Sequence, residues 1–354
     1  MFPFFYYGHN NYGDNYMCTC INMKGKNYYF GRNMDITHSF NEEVIITPRN
    51  YYLTFKKEKP LKNHYAFIGI GTIINNYPLY SEATNEKGIS IAGLNFPNNC
   101  YYFPFKDKKI NLTAFEIIPY ILSKCQNLKE VKQILSNLNI VNINFTNQIK
   151  LTPLHFMISY KNQSIVIEST KEGLKIFDNA FNVLTNNPPF EYHQNNIINY
   201  INLNNKDINN NINNNIKLLP FSFGQGAFGL PGDSSSSSRF IRAFFNLSFT
   251  KLDNNDTYEV IQFFKCLDSV RMIYGTVLTD LGYEYTTYSS CINTNKGILY
   301  YKTYYNPNIY SINMYKEDLN STKLINFKFI NEYQIIEQNK RWLFKIFKII
   351  IFYN

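Results

Sequence analysis

A cysteine near the start of the chain, Cys18, is followed after a short gap by the run GRNMD at residues 31–35. The residues between them fit a β-hairpin, with two short strands joined by a turn at residues 24–27. A hairpin of this length returns its far end to the side of its start, so Arg32 and Asp35 are expected close to Cys18. A guanidinium beside a thiol lowers the pKa of the thiol and favours the reactive thiolate, whereas a carboxylate there can hold an amine.

The hairpin by itself leaves a second interpretation open, because most single cysteines are small, buried, apolar side chains. Further motifs that follow in order along the chain favour the chemical interpretation. Cys18 and the run at 31–35 resemble the opening of the choloylglycine hydrolase family, which includes bile salt hydrolases and penicillin V acylases. The resemblance covers roughly residues 17 to 330 and is therefore far more specific than one short pattern. The later matching segments are 46–50, 77–80, 85–88, 92–97, 183–188, 229–233, 238–240, 285–291 and 296–303.

Composition limits the classes of protein and of partner. A chain of 354 residues with 45% hydrophobic side chains can bury a substantial core, in one large domain or two smaller ones. The formal net charge of +9 is compatible with anionic partners. The lysines are scattered and no basic stripe alternates with aromatic residues, so we expect no nucleic-acid partner. The six cysteines are mostly far apart and the five histidines form no ligand pattern, so we expect free thiols, no metal and no cofactor.

The segments around these motifs predict the elements that position them. Short apolar or β-branched runs bounded by Asn, Pro, Gly and Lys are typical of strands. The serine run 234–238 is interpreted as the start of a helix rather than a flexible linker, because Asp233 precedes it and apolar residues follow. The pattern predicts strands at 44–46, 51–55, 65–71, 89–93, 154–160, 164–168, 173–177 and 183–186, two more within 283–303, and helices at 112–123, 127–138, 256–268 and from the serine run onward.

Strands, then helices, then strands and helices again favour a layered α+β protein over a doubly wound parallel sheet. The family resemblance implies more, namely the four-layer αββα sandwich of the N-terminal-nucleophile hydrolases. We expect one such domain at residues 18–335, with an Asn-rich surface loop at 195–218. Residues 1–17 are interpreted as a leader, a propeptide or a misassigned start, and residues 336–354 as a dispensable basic, apolar tail.

Neither end of the sequence predicts a membrane segment. The first residues lack the basic start and the continuous apolar stretch of a secretory signal, so we expect a cytoplasmic protein. The tail is too short for an ordinary transmembrane helix, and we expect no contact between the tail and a membrane.

The resemblance implies hydrolysis of an amide bond through a thioester. Cys18 is the expected nucleophile and its own α-amino group the base, since an α-amine has a reference pKa of about 7.7–8.0 and accepts a proton at neutral pH. Cys18 must then be the first residue of the mature chain, yet Met17 and earlier residues precede it. Translation from Met17 with removal of the methionine would satisfy this requirement, and so would cleavage of a propeptide. If residues 1–17 are retained, we expect a catalytically silent steroid-binding protein.

The resemblance also assigns the remaining catalytic roles. Arg32 favours the thiolate, Asp35 holds the α-amine, and Arg239 adds positive charge. Asn186 and Asn95 donate hydrogen bonds to the developing oxyanion. Considered alone, the two asparagines could be ordinary turn residues, and the charged residues could be a structural ion pair and a solvated arginine.

Asn95 also bears on the substrate, because bile salt hydrolases resemble this chain in having asparagine there, whereas penicillin V acylases tend to have tyrosine. The resemblance places an apolar pocket for a steroid at Met34, Ile74, Phe145 and Ile149. We therefore expect hydrolysis of glycine- or taurine-conjugated bile salts. Hydrolysis of penicillin V or of N-acyl homoserine lactones on the same scaffold is the alternative. The resemblance further implies a homotetramer.

Overall fold

Two large β-sheets lie face to face, with helices on their outer sides. A computed structural model describes residues 16–210, 212–213, 215–333, 335–337 and 339. The strands of these residues are β1 (Met17–Lys24), β2 (Tyr28–Ile36), β3 (Glu43–Thr47), β4 (Phe67–Ile74), β5 (Tyr77–Asn85), β6 (Ile89–Asn95), β7 (Ile110–Leu112), β8 (Leu138–Ile140), β9 (Leu154–Tyr160), β10 (Gln163–Thr170), β11 (Gly173–Asp178), β12 (Val183–Leu184), β13 (Val277–Thr279), β14 (Gly282–Asn293), β15 (Ile298–Thr303), β16 (Tyr310–Asn313) and β17 (Ile325–Lys328). The α-helices are α1 (Ile117–Lys124), α2 (Leu128–Leu135), α3 (Phe190–Asn196), α4 (Ser236–Phe249) and α5 (Asp256–Asp268).

Both large sheets are antiparallel. The seven-stranded sheet has the order β12-β1-β2-β14-β15-β16, with β13 paired to β14. The eight-stranded sheet has the order β11-β10-β9-β6-β5-β4-β3-β17. A small parallel pair, β7 and β8, lies outside them. Strand β1 is therefore an interior strand, with a neighbour on each side.

The alternation of side chains along each strand builds the layers. Within β4, Ile68 belongs to the core shared with the seven-stranded sheet, whereas its neighbour Phe67 belongs to the core under α1 and α2. The first core continues to α4 and α5 through Phe240 and Phe263. The order of layers is thus helices, seven-stranded sheet, eight-stranded sheet, helices, and the prediction of an αββα sandwich is confirmed.

The predicted hairpin is present as β1 and β2, with Cys18 opposite Met34 in the register. The glycine of the GRNMD run has a steric reason. A Cβ atom on Gly31 would lie 2.1 Å from the backbone oxygen of Ser290 on β14. Only glycine therefore lets β2 pair closely with both β1 and β14 at this point.

Some predicted elements are wrong or displaced. Residues 51–55 form no strand, because a turn from Tyr51 N–H to the Pro48 carbonyl leaves only a single bridge between Leu53 and Leu61. The helix predicted at 112–123 begins later, since residues 110–112 pair with β8 and the Glu116 carboxylate accepts the Thr113 N–H at 2.8 Å.

Seven of the described strands and α-helices are present without having been predicted, namely β5, β7, β8, β13, β16, β17 and α3. The predicted leader at 1–17 lies outside the described residues except for Tyr16 and Met17, and the predicted tail at 336–354 lies outside them except for residues 336–337 and 339. No helix in the described part of the chain is long and apolar enough to cross a membrane.

Candidate active site

Cys18 lies near the start of β1, with its side chain in the core between the sheets and only 2% of its surface exposed. Its Sγ accepts a hydrogen bond from Nη2 of Arg32 on the neighbouring strand. Sγ also lies 4.0 Å from Sδ of Met34. The hairpin therefore places Arg32 and Met34 in contact with the thiol, because side chains two positions apart on a strand share one face.

Arg32 is almost completely buried and spans the space between the two sheets. Its Nη1 donates to the Gly93 carbonyl at 2.5 Å, and its Nε lies 3.9 Å from Oε2 of Glu82. The same Glu82 oxygen accepts a hydrogen bond from the Tyr288 hydroxyl at 3.0 Å. These partners on both sheets hold the guanidinium in one place.

Burial raises the pKa of the Cys18 thiol above its ordinary value, while the charges of Arg32 and Arg239 lower it and the charge of Asp35 raises it. Burial has the largest effect because the charged thiolate loses its hydration. The prediction that the thiol pKa is lowered is therefore wrong for the chain in which Met17 is still joined to Cys18. The effect of Arg32 itself has the predicted direction.

Asp35 stands opposite Met17 in the β1–β2 register, next to the peptide bond that precedes Cys18. Its Oδ1 accepts a hydrogen bond from the Thr286 hydroxyl at 2.5 Å. Its Oδ2 is buried and makes no hydrogen bond within the described residues. Burial raises the pKa of Asp35 to about 6, against the lowering effect of Arg239. The site thus holds an unused carboxylate oxygen on the residue that pairs with Met17.

Asn186 follows β12 and contacts the main chain of the nucleophile. Its Oδ1 accepts hydrogen bonds from the Cys18 N–H and from Nη2 of Arg239, both at 2.8 Å. Its Nδ2 donates to the Asn95 carbonyl at 2.9 Å and to the Tyr16 carbonyl at 3.2 Å. The Tyr16 carbonyl, which precedes Cys18 in the chain, therefore accepts a hydrogen bond from the Asn186 side chain that was predicted to bind the oxyanion.

Arg239 comes from the first turn of α4 and is fully buried. Its Nη1 donates to the Cys18 carbonyl and, at 2.8 Å, to the Thr19 hydroxyl. Its Nε donates to the Ser234 carbonyl at 2.9 Å. The interpretation of Arg239 as a solvated helix residue is therefore excluded.

The other expected residues divide into two groups. Asn95 ends β6 and is 3% exposed, and its carbonyl meets Asn186 as described above. Ile74 ends β4 opposite Tyr77, whose ring centroid lies 5.6 Å from that of Phe145. Ile149 belongs to the same loop as Phe145. Met34 is the expected pocket residue that touches the thiol, whereas Ile74 lies at the end of β4 and Phe145 packs against Tyr77 at the start of β5.

Sequence reasoning missed the buried polar residues that surround the site. His193 on α3 is one of them, since its Nε2 lies 3.1 Å from the Asn186 carbonyl and burial lowers its pKa to about 4. A polar residue within a buried apolar run is the signal that could have found several of them. The missed buried residues are Glu82, His155, Glu168, His193 and Glu284, and the half-buried Ser236 was missed as well. Within the described residues, no group of three or more His, Cys, Asp or Glu side chains is placed to hold a metal ion.

Known sequences match most of this chain. The sequence model of the linear amide C–N hydrolases of the choloylglycine hydrolase family matches residues 18–327. A bile salt hydrolase/transferase from Lactiplantibacillus plantarum is 47% identical over 328 residues, which are 91% of this chain and 100% of the relative. A bile salt hydrolase/transferase from Clostridium perfringens is 38% identical over 319 residues, which are 88% of this chain and 97% of the relative.

Solved structures show the same fold. The crystal structure of a variant of conjugated bile acid hydrolase from Clostridium perfringens matches with a TM-score of 0.83 and 36% identity, covering 91% of this chain and 100% of that one. Penicillin V acylase from Agrobacterium tumefaciens matches with a TM-score of 0.68 and 18% identity, covering 88% of this chain and 91% of that one. The second likeness concerns the fold alone.

Proposed function

The chain belongs to the choloylglycine hydrolase family of linear amide C–N hydrolases, and we propose that it hydrolyses the amide bond of glycine- or taurine-conjugated bile salts. The observation that carries the proposal is the set of contacts around Cys18, which joins a thiol, two buried arginines and the amide of Asn186. Relatives named for bile salt hydrolysis align over nearly their whole length with this chain.

The proposed reaction begins once Cys18 is the first residue. Its α-amine takes the thiol proton, and the thiolate attacks the carbonyl carbon of the conjugate. The negative charge that develops on the carbonyl oxygen accepts hydrogen bonds from Asn186 and Asn95. The α-ammonium returns the proton to the departing nitrogen of glycine or taurine, and a thioester remains. Water, deprotonated by the same amine, then cleaves the thioester and releases the bile acid.

The charged residues support these steps from different sides. The Asp35 carboxylate accepts a hydrogen bond from the α-ammonium through the oxygen that has no partner in the described residues. Arg32 stabilises the thiolate that attacks. Arg239 fixes the Cys18 carbonyl and the Asn186 side chain, so that the nucleophile and the oxyanion donor keep a constant separation.

Removal of residues 1–17 is an essential part of the proposal. While Met17 is attached, the Cys18 nitrogen is an amide N–H that donates to Asn186 and has no basic lone pair. Removal also frees the Asn186 amide from the Tyr16 carbonyl. One cut therefore supplies the base and one of the two oxyanion donors.

The deciding experiment has two parts. Intact mass and N-terminal sequencing of the natively expressed protein should show a chain that begins at Cys18. That protein should hydrolyse glycocholate or taurocholate faster than penicillin V. A preference for penicillin V would overturn the substrate, and tight bile-salt binding without product in a chain that begins at Cys18 would indicate a binding protein.

Acyl transfer is a second candidate, because the relatives at 47% and 38% identity are named hydrolase/transferase. An amine in place of water would attack the carbonyl carbon of the thioester and give up a proton to the Cys18 α-amine. The C–S bond then breaks, the new bile amide leaves, and the proton passes to the Cys18 sulfur. Formation of a new bile amide from taurocholate and an added amino acid, followed by mass spectrometry, tests this candidate. Free bile acid as the sole product would exclude it.

We also propose a cytoplasmic homotetramer. The loop after α3 supports an assembly, because Ile201, Leu219, Phe221 and Phe223 are between 70% and 103% exposed, and exposed apolar patches often mark protein interfaces. Light scattering on the purified protein should give the mass of four chains. Phe221→Ser with Phe223→Ser should lower that mass if the loop joins the subunits, and cell fractionation tests the compartment.

A further inference from the structure

A buried histidine lies behind the loop that carries Asn186. His155 on β9 is fully buried, and its Nε2 lies 3.0 Å from the Thr185 carbonyl. Its Nδ1 lies 3.1 Å from Oε1 of Glu168 on β10. A carbonyl oxygen can only accept a hydrogen bond, so Nε2 carries a hydrogen and donates it to Thr185. Nδ1 and Oε1 of Glu168 can form a hydrogen bond at this distance only through a second proton between them.

The same carboxylate reaches the other end of the loop. Oε1 of Glu168 also accepts the Phe190 N–H at 2.9 Å. The pair of His155 and Glu168 therefore binds the main chain at Thr185 and at Phe190, on both sides of Asn186. Neither side chain contacts Cys18 in the described structure, so the pair acts on Asn186 through the loop.

The imidazole also contacts the segment that carries the other expected oxyanion donor. The ring of Phe96, which follows Asn95, stacks on His155 with centroids 4.4 Å apart and planes inclined by 6°. Beside this stack, Nδ2 of Asn187 donates to the Pro97 carbonyl at 2.6 Å. His155 thus contacts the segment of Asn95 and the segment of Asn186 at once, beside the hydrogen bonds that join the two segments directly.

We propose that His155 and Glu168 are positioning residues that fix the distance between Asn186 and Asn95, so that both can donate to one oxyanion. This inference rests on the proposed amide hydrolysis. The cause is geometric, since an oxyanion is stabilised only by donors already held at hydrogen-bonding distance from the place where its charge develops. Loss of the pair should therefore slow the chemical step and leave substrate binding largely unchanged.

Two variants test the pair. His155→Phe keeps a ring against Phe96 but removes both hydrogen bonds. Glu168→Gln keeps the shape and the acceptor for Phe190, but it replaces the carboxylate beside Nδ1 of His155 by a neutral amide. The neutral imidazole can then donate to the glutamine or to Thr185, but not to both. Glu168→Gln therefore keeps the test available if His155→Phe does not fold.

His64→Phe is the matched control. His64 is also buried, its ring nitrogens lie 2.8 and 2.9 Å from two backbone carbonyls, and its ring packs beside Phe67. Phe67 belongs to the core beneath α1 and α2, on the side of the eight-stranded sheet away from Cys18. His64→Phe should thus reproduce the general loss of a buried histidine without disturbing the Asn186 loop.

In the processed enzyme, His155→Phe and Glu168→Gln should lower kcat for glycocholate by about 100-fold, the size expected for the loss of an oxyanion donor. KM should stay within about threefold, because the substrate-binding surface is unchanged. Amide hydrogen exchange in residues 184–190 should accelerate by about tenfold or more, whereas His64→Phe should change neither kcat nor this exchange.

Values of kcat that stay within about threefold of the unsubstituted enzyme in both variants overturn the inference, whatever the exchange rates. An equal loss of kcat in His64→Phe overturns it as well. If the unsubstituted, processed enzyme hydrolyses no conjugate, the proposed function fails, and hydrogen exchange alone decides the inference. Faster exchange of residues 184–190 in the two variants, but not in the control, then supports the pair, and equal exchange overturns it.

Discussion

Two arginines act on different atoms of the same residue. Arg32 contacts the Cys18 sulfur, whereas Arg239 contacts the Cys18 carbonyl oxygen and the Asn186 amide oxygen. The first arginine therefore influences how readily the thiol ionises, and the second influences where the nucleophile stands. A substitution at this site can therefore be classified by whether it changes the ionisation of the thiol or the position of the nucleophile.

Cys18→Ala should abolish turnover in the processed enzyme, because Cys18 is the one described cysteine whose sulfur accepts a hydrogen bond from Arg32. Cys20→Ala is the matched control, since Cys20 is also fully buried on β1. It should cost about 1 kcal/mol of stability for the lost sulfur packing and leave kcat nearly unchanged. Turnover assays with urea denaturation measure both effects, and residual activity in Cys18→Ala would show that another group is the nucleophile.

Glu82→Gln should make the Cys18 thiol more acidic. The Glu82 carboxylate lies 3.9 Å from Nε of Arg32 and offsets part of the positive charge that favours the thiolate. Glutamine can still accept the Tyr288 hydroxyl, so the geometry is preserved. The rate of Cys18 alkylation by iodoacetamide, followed against pH, should rise at lower pH in the variant than in the unsubstituted protein.

Glu43→Gln provides the control for this measurement, because Glu43 binds Asn326 at the surface end of β3. Its alkylation profile should match that of the unsubstituted protein. An unshifted profile in Glu82→Gln would mean that Glu82 does not influence the thiol.

At the scale of elements, the start of α4 connects helix stability to the site. The Ser235 hydroxyl caps the helix by accepting the Ser238 N–H at 3.4 Å. The first turn carries Arg239 and also Ser236, whose hydroxyl accepts the Asn186 N–H at 2.8 Å. A change in this turn therefore reaches Asn186 through two side chains.

Ser235→Ala should lower stability by about 1 kcal/mol and also reduce kcat, because the capped turn positions Arg239. Asn255→Ala removes the equivalent cap of α5, where Asn255 accepts the Tyr258 N–H at 3.1 Å. It should lower stability by a similar amount without affecting kcat. Equal kcat values in the two variants at equal folded concentration would contradict a role for the α4 cap in the site.

The sequence predicted best what short-range pattern determines. The hairpin of Cys18 and Arg32 was found because alternation and a turn specify it locally. The contact of Arg239 with the Cys18 carbonyl joins residues 221 positions apart, and only the family resemblance indicated that Arg239 belongs to the site. The roles of these residues in catalysis stay predictions until the variants are measured.

Other features could not be predicted, because burial is decided by distant parts of the chain. Glu82 looks like a surface residue in the sequence, yet it is buried where the two sheets meet and pairs with Arg32. The apolar run at 51–55 looks like a strand, but among the described residues it has no partner strand and only Leu53 forms a bridge. Side-chain alternation shows that a segment can pair without showing what it pairs with.

At the scale of the whole molecule, buried carboxyl groups link stability to pH. Burial raises the pKa of Asp35 to about 6, of Glu82 to about 7 and of Glu284 to about 8. Each group binds its proton more tightly in the folded state than in the unfolded state. This tighter proton binding adds to the free energy of unfolding. The contribution of each carboxyl group is complete below its pKa in the unfolded state and is lost as the pH rises through its pKa in the folded state.

Stability of the unprocessed chain should therefore fall between pH 6.5 and 8. Below this window His193 has the opposite effect, because its pKa is lowered from 6.5 to about 4 and its contribution to stability grows as the pH rises between these values. Above pH 6.5 that contribution is complete and no longer changes with pH. The midpoint of urea denaturation measures the trend. Glu284→Gln should flatten it most and Glu43→Gln should leave it unchanged, whereas a midpoint that rises with pH would contradict the linkage.

The contact between the Tyr16 carbonyl and the Asn186 amide has a consequence for enzymology. Under the proposed mechanism, the uncut chain is a zymogen that is silenced by one occupied donor and one missing amine rather than by a separate inhibitory domain. A preparation then contains two species, of which only the cut one turns over substrate. Its apparent kcat scales with the fraction of chains that begin at Cys18 while its KM stays constant, so active-site titration must precede any comparison of rates.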